Sequence, residues 1–159
     1  MAESCRPQTR LCTPQISWHG REPVLSVDIS PDGLVATAGS DNEVRLWRIS
    51  LSATETADLV TFVQELNSHA KVSSTIARRD IVGPSHTSTV SQPVNAVRFN
   101  PTGDTLASAS DDTMITLWKD KGNKGDGSGC NWGPVSILRG HCADVYDLCW
   151  SPDGQVPRR

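Results

Sequence analysis

The stretch PVLSVDISPDGLVATAGSDNEVRLW, Pro23 to Trp47, decides the fold because it returns at Pro93 to Trp118 as PVNAVRFNPTGDTLASASDDTMITLW. A third copy opens at Asp144 as DVYDLCWSPDG. Each long copy carries a strand-like run, a Pro-x-Gly turn, a second short apolar run, an Asp-bearing turn and a third run ending in Trp. Recurrence at a fixed period marks stacked supersecondary units, each too small to bury its own apolar face. Three visible strands per unit predict an all-β protein built of propeller blades.

Within the first unit Leu25, Val27 and Ile29 share one face, and Val24, Ser26 and Asp28 the other. Alternation with period two predicts a half-buried strand. The same frame puts Val97 and Phe99, then Leu148 and Trp150, on the first face. Pro31-Asp32-Gly33, Pro101-Thr102-Gly103 and Pro152-Asp153-Gly154 follow as hairpin turns, since Pro presets φ and Gly accepts φ > 0. The second strands run over Leu34–Ala38 and Thr105–Ala109, with small residues that allow close approach of another sheet. Asp-bearing turns at Ser40-Asp41-Asn42 and Asp111-Asp112 lead into third strands at Val44–Arg48 and Met114–Lys119. Outer fourth strands are expected at Leu59–Leu66 and Val135–Leu138. The inner strand of the third unit is expected at Val145–Trp150, with Trp150 in the core. Gln15–Trp18 reads as a further short strand, residues 1–13 as a disordered lead-in, 120–131 as a mobile loop and 155–159 as a tail.

The composition narrows the function. A net charge of −3 over 159 residues gives no bulk basic field to hold nucleic acid. No apolar run reaches the ~18 residues that cross a bilayer, and the first 22 residues lack the apolar core of a secretory signal. Cys5, Cys12, Cys130, Cys142 and Cys149 are odd in number and form no Cys-x-x-Cys pair, as in a reduced intracellular protein. His141, Cys142 and Cys149 are too few for a structural zinc site. Nucleophile-elbow, zincin and phosphate-loop motifs are absent. No enzyme and no cofactor are expected.

With Gly140-His141, a strand, a Pro-Asp-Gly turn, an Asp turn and a terminal Trp, the chain resembles the WD-repeat family over roughly residues 15–154. Trp47-Arg48 and Trp118-Lys119 depart from the family's Trp-Asp ending. The resemblance implies an incomplete WD-repeat β-propeller, about two blades plus the first strand of a third, where family rings close at about seven blades. Blade one spans 23–67, blade two 93–139, and the start of blade three 140–154. More narrowly, QISWHGREPVLSVD, VNAVRFNPTGDTLASASDD and LRGHCADVYDLCWSPDG are similar to the WD-repeat middle subunits of chromatin assembly factor one. HIRA-type histone chaperones share much of the pattern.

That resemblance implies a non-catalytic scaffold in the nucleus. Its partners would be the other chromatin assembly factor subunits and histones H3–H4, and its process replication-coupled nucleosome assembly. No Lys/Arg-rich run marks nuclear import, and no direct nucleic-acid or membrane site is evident. The rival readings are a WD-repeat substrate receptor of a ubiquitin ligase and a truncated gene product without independent function.

The family also carries a buried hydrogen-bonded tetrad of His, Asp, Ser or Thr, and Trp in each blade. By spacing, the first unit supplies His19, Thr37, Asp41 and Trp47, the second Ser108, Asp112 and Trp118, and the third His141. A histidine and aspartate that recur blade by blade are structural rather than catalytic. Trp132, in the expected loop, is the one aromatic read as a partner contact.

The second tetrad needs a histidine, and the Ser/Thr-rich stretch 72–92 hides it. In the third unit His141 stands four residues before Val145. Without Val72 to Gln92, His69 stands four residues before Val94, so His69 becomes the second histidine and 72–92 an insertion outside the fold. The 21 removed residues begin with Val, encoded by GT-, and end with Gln, which CAG encodes, as a translated intron would. A blade-joining loop is the alternative, because closure entropy grows slowly with length.

Overall fold

A computed structural model describes residues 19–49, 60–67, 69, 72–73, 89–90, 92–122 and 130–154. The expected lead-in, the Gln15–Trp18 strand and the 155–159 tail lie outside the described residues. Two four-stranded antiparallel sheets dominate. Blade one is β1 (Val24–Ile29), β2 (Leu34–Gly39), β3 (Val44–Ile49) and β4 (Val60–Leu66), paired in that order. A two-stranded pair, β5 (Val72–Ser73) and β6 (Thr89–Val90), follows. Blade two is β7 (Val94–Phe99), β8 (Thr105–Ser110), β9 (Ile115–Asp120) and β10 (Trp132–Leu138). The chain is all-β, two blades of a propeller with a third repeat begun.

The turns follow the residue types. Gly33, Gly103 and Gly154 adopt φ of 83°, 80° and 71°, as the second half of each Pro-x-Gly turn requires. In the first hairpin Ser30 Oγ accepts from Leu34 N–H at 2.9 Å. In the second, Asn100 Oδ1 accepts from Thr105 N–H at 3.1 Å. Asn100 also donates to Asp104, and with Thr102 beside it holds that carboxyl down at about 2. Its contribution to stability is therefore present above the ordinary carboxylate range and is lost as pH falls toward 2.

The core lies between the blades. Leu34, Ala36, Ala38, Val44 and Leu46 of blade one meet Val94, Val97, Phe99, Leu106 and Trp118 of blade two. The alanines of β2 let the sheets approach, and each large side chain buried here contributes ~1.5–3 kcal/mol. A second, smaller cluster joins Ala96, Ala109 and Ile115 to Val145 and Leu148 of the third repeat.

Four expectations need correcting. The face of Leu25, Val27 and Ile29 is open: Val27 and Ile29 are each 59% exposed, whereas Val97 and Phe99 in the same frame are 0% and 8% exposed. The alternation is the same; what differs is that blade two has blade one against it. Secondly, Val145–Trp150 forms no strand. It runs along blade two through Val145 N–H to Ser110 O at 3.2 Å and Trp150 Nε1–H to Arg98 O at 2.9 Å. A strand needs a ladder partner, and none lies beside it among the described residues. Trp150 is consequently only half-buried.

Thirdly, the outer strand of blade two begins at Trp132, three residues before Val135. Finally, Trp132 is no exposed contact. It is 6% exposed and packs edge-on against Phe99 at 5.8 Å between centroids. Its backbone N–H and C=O both bond the Gln64 amide, at 2.9 and 2.7 Å.

β5 and β6 pair with each other and with neither blade. Residues 74–88 lie outside the described residues. Spliced reads joining codons 71 and 93 would support the intron origin; their absence at good coverage would remove it.

Thr116 on β9 is buried with its hydroxyl unpartnered among the described residues. An orphaned buried hydroxyl costs ~1–3 kcal/mol. Thr116→Val keeps the shape and removes the orphan, so it is expected to raise stability by about 1 kcal/mol in thermal or denaturant melts.

Candidate functional site: two buried polar relays

Each blade holds one relay of four side chains. In blade one, His19 precedes β1, Thr37 lies on β2, Asp41 in the β2–β3 turn and Trp47 on β3. His19 Nδ1 lies 2.8 Å from Asp41 Oδ1, and Nε2 lies 2.9 Å from Thr37 Oγ1. Trp47 Nε1–H donates to the same hydroxyl at 2.9 Å. In blade two, His69 Nδ1 lies 2.9 Å from Asp112 Oδ2 and Nε2 lies 2.7 Å from Ser108 Oγ. Trp118 Nε1–H donates to Ser108 Oγ at 2.9 Å.

The proton directions follow from the inventory of donors. Indole only donates and carboxylate only accepts. With a neutral imidazole, the hydroxyl that accepts from the indole donates to His Nε2, and Nδ1 carries the ring proton toward the Asp. Every group in the relay is then satisfied, as burial demands. Ser108 is fully buried, and His19, Thr37, His69 and Trp118 nearly so.

The Asp side chain also fixes its turn. Asp112 Oδ1 accepts from Met114 N–H at 2.9 Å. One residue on, Asn42 and Thr113 occupy equivalent places with φ of 63° and 66°. Asn tolerates that region, whereas a β-branched Thr is strained there.

Three supporting residues escaped the reading of the sequence. A Cβ on Gly39 would lie 2.9 Å from both His19 Nδ1 and Pro23 O, so only glycine admits the imidazole. Arg45 pairs with Asp41 at 3.3 Å and contacts Glu43. Gln64 clasps Trp132. The Gly after Ala36 and Ala38 was the available signal for the first; the other two depend on cross-strand register.

His141 is exposed at the start of the third repeat and, among the described residues, joins no such relay. Among the described residues no group of three or more His, Cys, Asp or Glu could hold a metal ion. No helix there is long and apolar enough to cross a membrane.

This geometry meets the sequence comparisons. The family model "WD domain, G-beta repeat" matches residues 11–48, 82–119 and 132–156, and the chain belongs to the WD-repeat family. The second match begins at residue 82, while the histidine bonded in that blade is His69. In sequence the chain is similar to a chromatin assembly factor 1 subunit of Mus musculus, 34% identical over 92% of this chain and 25% of the relative. It is also similar to the corresponding Gallus gallus protein, at 35% over 91% and 25%. Protein HIRA of Dictyostelium discoideum is 30% identical over 92% of this chain and 12% of the relative. The chain thus spans about a quarter of these two chromatin assembly factor 1 relatives.

Two substitutions test the relays. Ser108→Ala strands the Trp118 indole and the His69 ring at once and should cost about 2–4 kcal/mol in denaturant unfolding. Thr113→Asn places in blade two the residue blade one uses at that φ, and should raise stability by about 1 kcal/mol.

Proposed function

We propose that this chain is part of a non-catalytic WD-repeat scaffold in a nuclear histone H3–H4 chaperone complex that assembles nucleosomes during replication. The observation that carries the reading is 34–35% identity to chromatin assembly factor 1 relatives along more than nine-tenths of the chain. Protein HIRA relatives at 30–36% identity agree with a chromatin role.

The relays support the scaffold half of this reading. Both described histidines with buried rings have both ring nitrogens engaged with the blade's own side chains. Those two rings are committed to holding strands together. A rigid blade presenting loops at its rims is the part a scaffold contributes. The stretch 72–92 is read as an insertion looped out of the blades, supported by the pairing of β5 with β6 alone.

Affinity purification of the full protein carrying this region, from S-phase cells, is expected to bring down the large chromatin assembly subunit with histones H3 and H4. Recovery of a cullin adaptor in their place would overturn the proposal in favour of a ubiquitin-ligase receptor.

A further inference from the structure

We draw no further inference here: the strongest candidate, the exposed apolar strip of Val135 and Ile137 on the rim strand β10 beside the buried Thr116 hydroxyl of β9, carries nothing because nothing in the structure shows what covers it.

Discussion

A hydroxyl has one proton to give, and the two blades depend on where it goes. Thr37 and Ser108 each sit at the centre of a sheet, accept from an indole and donate to an imidazole. That single choice ties three segments: the stretch before β1 or β7, the second strand and the third. The imidazole's far side then reaches the Asp that shapes the next turn. The arrangement tolerates no substitution that loses the oxygen, since two buried donors or acceptors are stranded together. It also explains the alanines around it, because the sheet must be thin where an imidazole lies against it, as at Gly39.

The relays act within a blade; a different device acts between blades. The inner strand is the edge of its sheet, and its outward N–H groups need acceptors. Ser26 and Asp28 supply them to β7, so a side chain takes the part that another strand would play in a continuous sheet. The stacked Pro and Gly of successive turns fix the same step at the rim. Adjacent sheets meet face to face and remain separate ladders, as propellers require.

Much of this was legible from residues. Period-two alternation, three Pro-x-Gly turns and two Asp turns placed eight long strands with ends shifted by a few residues. His69 emerged from the spacing of His141 to Val145, once the twenty-one residues Val72 to Gln92 were set aside. Trp132 was misread because it follows a Gly/Asn/Lys/Asp run and precedes Gly133-Pro134, residues that punctuate loops; its burial comes from Phe99 on another strand. The openness of Val27 and Ile29 was illegible for a related reason. Alternation reports which residues share a face, never whether something lies against it. Thr113 and Thr116 carry a left-handed φ and an orphaned hydroxyl that arise only from turn geometry and cross-strand register.

The clasp of Gln64 on Trp132 bears on a hazard that every outer strand carries. β10 is the rim strand of its sheet, and a bare rim is a template on which other chains can nucleate fibrils. Here the first rim residue has both its backbone groups occupied by one amide side chain from the neighbouring blade. Two residues on, Pro134 has no N–H to offer. An incoming strand therefore meets a spoiled start and only the short remainder, Val135 to Leu138, on which to grow. Blade two is protected from polymerising along its rim by a glutamine that belongs to blade one, so the solubility of one blade is written in the sequence of the other.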